Sequence, residues 1–207
     1  MKLLVTGFDA FGGEKVNPAQ LVVESLPDEI NENQVLKLII PTIRYGSAKK
    51  IMEVIDQEKP DIVVSIGQAG GNDHIAIERV AINCDDYRIQ DNGGNQPIDE
   101  PIVEEGPTAY FSTLPIRKIY EVLQKEEYPV RISNSAGTFV CNHVFYSIRH
   151  YIEENHLSIQ NGFIHIPYIK EQVEEKPNVT YMELNKIQEA IKLALQTILK
   201  ERGCPKT

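Results

Sequence analysis

The chain has 207 residues, 42% of them hydrophobic and 25% charged, with a formal net charge of -9. That length and balance suit one globular unit with a sizeable core. Dispersed Lys and Arg in an acidic chain argue against a nucleic-acid partner, and no apolar run approaches the ~20 residues of a membrane span.

In chain order the pattern alternates strands with helices. Lys2 to Thr6 reads as a strand that ends in the loop Gly7 to Gly13. Pro18 to Leu26 reads as a helix, with Asn17 as its cap and Pro18 at its first position. Val35 to Ile40 is a strand closed by Pro41. Tyr45 to Gln57 has Ala48, Ile51, Met52 and Ile55 on one helical face. The β-branched run Asp61 to Ile66 reads as a central strand, followed by the loop Gly67 to Gly71. Ile75 to Asn83 reads as one further strand. Asp85 to Gly106 is polar and turn-rich, a long excursion with a hairpin, and loops of this length are often functional. Pro115 to Gln124 is a helix, Val130 to Asn134 a strand, Thr138 to Glu154 a helix and Gly162 to Pro167 a strand. Tyr181 to Arg202 is a C-terminal amphipathic helix that Gly203 and Pro205 end.

This alternation predicts an α/β protein, a single-domain open α/β/α sandwich over residues 1–207 with a mostly parallel twisted sheet. Sites in such sheets gather at the carboxyl ends of the strands. The loops after Thr6, Ile66 and Asn134 and the end of the Phe163 strand are therefore expected to converge. Met1 to Gly7 reads as a strand rather than a secretory leader. The three cysteines, Cys84, Cys141 and Cys204, are too widely spaced for a disulfide framework. Together these lead us to expect a reducing, cytoplasmic compartment, in which the Asn178-Val179-Thr180 sequon has no consequence.

Cys141 is the first candidate for chemistry. It follows Gly137 at the start of a helix, where unpaired N–H groups and the helix dipole stabilise a thiolate and could hold an oxyanion. The plainer reading is a small buried thiol. His165, in the strand directly after the Cys141 helix, is the candidate general base; otherwise it is a core histidine. His143 lies only two positions from Cys141 on a helix and points elsewhere. His74 lies at the start of a polar loop, and His150 and His156 read as surface residues. Glu78 sits inside a strand-like run, so it is exposed, paired with a neighbour such as Arg79, or the acid that orients the imidazole. Gly7 to Gly13 lacks the spacing of a phosphate loop, and Asp9 would repel an anion. Its two phenylalanines fit an apolar pocket wall or ordinary core. A zinc site built from Cys84, Cys141, His143 and His165 lacks the paired spacing of structural zinc.

Several stretches together resemble the pyroglutamyl peptidase type I (pyrrolidone-carboxylate peptidase) family of cysteine peptidases. They are Gly7-Phe8-Asp9-Ala10-Phe11-Gly12, Gly67-Gln68-Ala69-Gly70-Gly71, Glu78-Arg79-Val80-Ala81-Ile82-Asn83, Gly94-Asn95-Gln96-Pro97-Ile98, Ser133 to Asn142, and His165-Ile166-Pro167. The likeness runs from the first strand to the last helix. It implies Cys141 as nucleophile, His165 as base and acid, and Glu78 as orienter. It also implies removal of an N-terminal pyroglutamate from peptides without metal or cofactor. By the same likeness Phe8, Phe11, Gln68, Ile89, Phe139 and Val140 form the lactam pocket, Arg88 stands beside the active site, and the chain is a tetramer. Cys84 and Tyr87 depart from the family pattern at the pocket edge. Two other readings remain at this point. A nucleoside phosphorylase-like transferase would need a phosphate site, for which Arg44 and Arg88 are the candidates. A binding module with dead catalysis would share the fold alone.

Overall fold

A computed structural model describes residues 1–202. Its elements are β1 (Lys2–Phe8), α1 (Pro18–Ser25), β2 (Glu29–Ile30), β3 (Asn33–Ile40), α2 (Arg44–Glu58), β4 (Ile62–Gln68), β5 (Ile75–Glu78), β6 (Val80–Ile82) and β7 (Ala109–Phe111). There follow α3 (Ile116–Lys125), β8 (Val130–Ser133), α4 (Val140–Glu154), β9 (Gln160–Ile166), a 3-10 turn (Lys170–Gln172) and α5 (Leu184–Arg202). Gly203, Cys204 and Pro205 lie outside the described residues.

The helices begin for visible reasons. Asn17 accepts a hydrogen bond from the Ala19 N–H at 3.0 Å, and Pro18 supplies a preset φ at the first position of α1. Side-chain alternation along the strands feeds two apolar layers. Leu3 and Val5 of β1 pack with α1, α3 and α5, whereas Leu4 points to the opposite layer with Ile51 of α2 and Phe145 of α4. β4 is buried along its whole length, as a central strand covered on both faces should be. The result is a three-layer α/β/α sandwich.

The main sheet has the order β2-β3-β1-β4-β9-β5-β8. β3, β1, β4 and β9 run parallel to one another. β5 is antiparallel to β9, and β8 runs with β5. The sheet is thus mostly parallel, with the reversed pair β5 and β8 at one edge and the two-residue β2, antiparallel to β3, at the other. Residues 75–83, expected to form one strand, form two. β5 stays in the main sheet, while β6 pairs with β7 in a separate two-stranded ribbon. The chain turns at Arg79, whose N–H still bonds the Ser133 carbonyl at 2.9 Å and whose carbonyl accepts from Ser112 N–H at 2.8 Å.

Because β5 and β8 are reversed, the segment after Ser133 does not leave from the carboxyl ends of β4 and β9. Register brings it to the same place. Ala76 sits beside His165 and Arg131, and Glu78 beside Ser133, so β8 ends two residues past the level of His165. The chain leaves the sheet there and runs directly to α4.

Candidate active site

Cys141 is the second residue of α4. Phe139 is the extended N-cap residue, and no side chain caps the helix. The first intrahelical bond runs from the His143 N–H to the Phe139 carbonyl at 3.1 Å. The N–H groups of the first turn are therefore left for another acceptor, and the positive end of the helix faces the thiol. Gly137 makes the approach with φ +77°, a conformation costly for side-chain-bearing residues. Thr138 anchors this segment by donating its hydroxyl to the Asp86 carbonyl at 2.8 Å.

The thiol lies over β4 because residue 67 is a glycine. A Cβ there would come within 2.7 Å of the Phe163 ring and 3.0 Å of the Cys141 sulfur. His165 is the register partner of Gly67 on the next strand, which sets the imidazole beside the thiol. Behind it, Nδ1 of His165 lies 2.8 Å from Oε1 of Glu78. Both residues are buried, His165 at 6% and Glu78 at 2% exposure. Oε2 of Glu78 has no hydrogen-bonding partner among the described residues, so His165 is the group this carboxylate serves. Burial opposes a charge on His165. The adjacent Cys141 sulfur and then Glu78 outweigh that, and the pKa is pushed from 6.5 up to about 10. The imidazole therefore holds its proton against the sulfur. The Glu78 contact also fixes which ring nitrogen faces the thiol.

A cavity of about 400 Å³ opens over this row. Its lining includes the aromatic rings of Phe11 and Phe139 and the polar side chains of Gln68, Asn72, His74, Ser133 and Ser135. The rings of Phe11 and Phe139 are 5.7 Å apart, and Tyr87 meets Phe139 edge-on at 4.7 Å. Oε1 of Gln68 accepts from Gln172 at 2.8 Å, which turns the amide N–H₂ of Gln68 away from that partner. The other expected pocket residues stand further back. Phe8 and Val140 are buried in the core, and Phe8 packs on Phe163. Ile89 is half-buried beside Gly12, and Arg88 is exposed on the long loop.

A second buried network holds the long loop to the helices. Asn142, next to Cys141, accepts from the Ile82 N–H at 3.0 Å and donates to the carbonyls of Ile82 and Cys84. His143 Nδ1 lies 2.8 Å from Oδ2 of Asp85, and Arg44 Nε reaches the same oxygen at 2.6 Å. Arg44 also bonds Glu100 at 2.7 Å. Arg44 is thus occupied by carboxylates and buried, which removes it as a phosphate ligand. Asp9, in the glycine-rich loop, accepts from the Thr42 N–H at 2.7 Å and from Asn92 at 3.2 Å, so it ties loops together. His150, expected at the surface, is partly buried and lies 2.9 Å from the Tyr110 hydroxyl.

Sequence reasoning passed over His74 and Gln172. Both approach the site through the loop after β4 and the 3-10 turn after β9. Local pattern gives no sign of either, and only the histidine's identity could have raised a question.

A thiol at an uncapped helix start, a protonated imidazole against it and a buried carboxylate behind form, in this sandwich, the arrangement of a thiol-dependent acyl hydrolase. The family model for pyroglutamyl peptidase matches residues 1–201. Pyrrolidone-carboxylate peptidase 1 of Caldanaerobacter subterraneus subsp. tengcongensis is 55% identical over 200 residues, 97% of this chain and 98% of its own. The Fusobacterium nucleatum pyrrolidone-carboxylate peptidase is 53% identical over 197 residues, 95% of this chain and 92% of its own. The crystal structure of Bacillus amyloliquefaciens pyroglutamyl peptidase I superposes with a TM-score of 0.92 at 44% identity, covering 96% of this chain and 97% of that one. A mutant pyrrolidone carboxyl peptidase from Pyrococcus furiosus gives 0.94 at 40% identity, covering 98% and 100%. The chain belongs to the pyroglutamyl peptidase family: it is a cysteine-type peptidase that removes N-terminal pyroglutamate.

Proposed function

We propose that Cys141, His165 and Glu78 carry this hydrolysis. The observation behind the proposal is the row from the Cys141 sulfur through His165 to Glu78, with the imidazole holding its proton up to about pH 10. The Cys141 thiolate attacks the pyroglutamyl carbonyl. N–H groups of the first turn of α4 take the developing oxyanion, each worth about 3 kcal/mol in comparable sites. His165 gives its proton to the departing amine as the C–N bond breaks, leaving a thioester on Cys141. His165 then takes a proton from water, whose oxygen attacks the thioester. The C–S bond then breaks, 5-oxoproline leaves, and the Cys141 thiolate again faces the protonated His165. Glu78 keeps the imidazole oriented throughout, and no step calls for a metal or a cofactor.

The lactam pocket consists of Phe8, Phe11, Gln68, Arg88, Ile89, Phe139 and Val140. Phe11 and Phe139 cover the ring, and Gln68 offers its amide N–H to the ring carbonyl. Phe8 and Val140 back the wall from the core, while Ile89 and Arg88 close it from the long loop. A pyroglutamyl ring is compact, neutral and half apolar. A free N-terminal ammonium would be a charge entering that wall without a partner. Matched peptides that begin with pyroglutamate or with uncyclised glutamine test this. We expect cleavage of the first only. Comparable cleavage of both would sink the pocket assignment.

Residues 1–207 act as one domain in this reading. The working form is a homotetramer in the cytoplasm. Exposed Tyr45, Ile98 and Phe111 favour assembly. Among the described residues no helix is long and apolar enough to cross a membrane. Light scattering should give four times the chain mass, and a monomeric mass would remove the tetramer. Recovery of the protein with a membrane or extracellular fraction would contradict the cytoplasmic placement.

A further inference from the structure

The cavity lining has an aromatic side, Phe11 and Phe139, whose rings lie 5.7 Å apart. It also has polar members at the reversed strands: His74 directly before β5, Ser133 at the end of β8 and Ser135 just after it. Directly paired residues on neighbouring strands present their side chains to the same face. Gly67, His165, Ala76 and Arg131 form one such row across β4, β9, β5 and β8. Because His165 faces the cavity, Arg131 lies on that same face of the sheet, two strands further out and just beyond the residues that line the cavity. At about 4.8 Å per strand its Cα lies roughly 10 Å from that of His165, within reach of an extended guanidinium. Ala76 between them is small and leaves the path open.

Arg131 is exposed and makes no salt bridge or side-chain hydrogen bond among the described residues. The nearby carboxylate is Asp73, which is already engaged: His74 Nδ1 lies 2.6 Å from its Oδ1. That contact, with a smaller contribution from Arg131, holds the Asp73 carboxyl below its usual range. It also leaves Nε2 of His74 as the ring's free nitrogen, and His74 lines the cavity. Asn72, Ser133 and Ser135 complete a polar shelf. Asp73 is not on the cavity lining; Glu78 is, and it is buried against His165.

If the pyroglutamyl ring occupies the aromatic side, the departing peptide must extend over this shelf. We infer that Arg131, with His74, is a specificity-determining pair on the leaving-group side, and that it favours peptides that place a carboxylate within one residue of the scissile bond. The inference rests on the assignment of Cys141 and His165 given above. Such a carboxylate has two sources: an acidic side chain on the residue after pyroglutamate, or the free end of a dipeptide.

Three substrates separate the sources: pyroglutamyl-alanine amide, pyroglutamyl-alanine with a free carboxylate, and pyroglutamyl-glutamate amide. At low salt the wild type should favour at least one carboxylate substrate over the neutral amide by about threefold in kcat/KM, the scale of a solvent-exposed ion pair. The preference should shrink as salt screens it. Arg131→Gln should bring the ratio to about one, and Arg131→Lys should retain most of it. Preference for the free dipeptide alone assigns the shelf to a chain end, and preference for the glutamate amide alone assigns it to a side chain. Equal ratios in wild type and Arg131→Gln, with all substrates turned over, overturn the subsite alone. A folded wild type that turns over none of the three overturns the underlying site assignment.

Discussion

At the residue scale, His165 is the most consequential side chain because three opposing influences meet on it. Burial disfavours its charge, while the Cys141 sulfur and the Glu78 carboxylate favour it. The sign of the resulting pH dependence follows from the raised pKa. Stability from the protonated ring is fully present below about pH 6.5, the unfolded value, and is lost as pH rises through about 10. In Cys141→Ser the largest favourable partner is gone, so the ring should titrate well below the wild-type value. NMR of the His165 ring protons reads this directly. A wild-type ring that titrates at the ordinary histidine value would contradict the ion pair. Much of this was legible in the sequence. Cys141 and His165 could be named from a helix start and a neighbouring strand, and Glu78 from a charge in an apolar run. Other residues were hidden because their roles depend on distant partners. Asp85 binds Arg44, 41 positions away, and Gln172 reaches Gln68 across 104. No local period reports such contacts.

At the scale of elements, the site depends on how α4 sits against β4. The uncapped first turn supplies the N–H groups, and Gly67 supplies the room. A methyl at position 67 would meet both the Phe163 ring and the Cys141 sulfur, and the ring is enclosed by Phe8, Phe145 and His165. Gly67→Ala should therefore destabilise the fold by about 1–3 kcal/mol, as overpacking does. It should also lower kcat at temperatures where the variant remains folded, since the sulfur must shift. Urea denaturation and turnover measured together check this, and wild-type values for both would remove the packing argument. The sequence placed nearly every helix and strand, with ends off by a few residues. It failed at residues 75–83, where a strand-like pattern continues across the turn at Arg79. What divides β5 from β6 is partner choice: β5 pairs with β8 and β9, and β6 with the short β7. Two-residue β2 and three-residue β7 are too short to show a period of their own.

For the whole molecule, the reversed strands contribute to the cavity beside Cys141 and His165. Composition and alternation were enough to predict the α/β/α sandwich. Neither encodes strand direction at an edge. With β5 and β8 antiparallel to β9, Glu78 lies behind His165 and the chain leaves β8 two residues past the level of His165. Segments from β1, β4, β5, β8 and α4 then share one cavity. The long loop from Asp85 onward is pinned to that assembly by the buried Asp85, Arg44 and His143 cluster. The aromatic lining, the uncapped start of α4 and the His165–Glu78 pair thus come from separate parts of one sandwich, and each has a structural reason for its position.

The central claim is that the Cys141 sulfur is the nucleophile. Release of a fluorophore from a pyroglutamyl-linked substrate, under reducing conditions, tests it when wild type and Cys141→Ser are compared side by side with circular dichroism to confirm folding. We predict turnover in the wild type and a loss of at least about 10³-fold in the variant, whose hydroxyl is a far weaker nucleophile beside the same imidazole. A folded Cys141→Ser protein that keeps activity within tenfold of wild type would contradict the assignment.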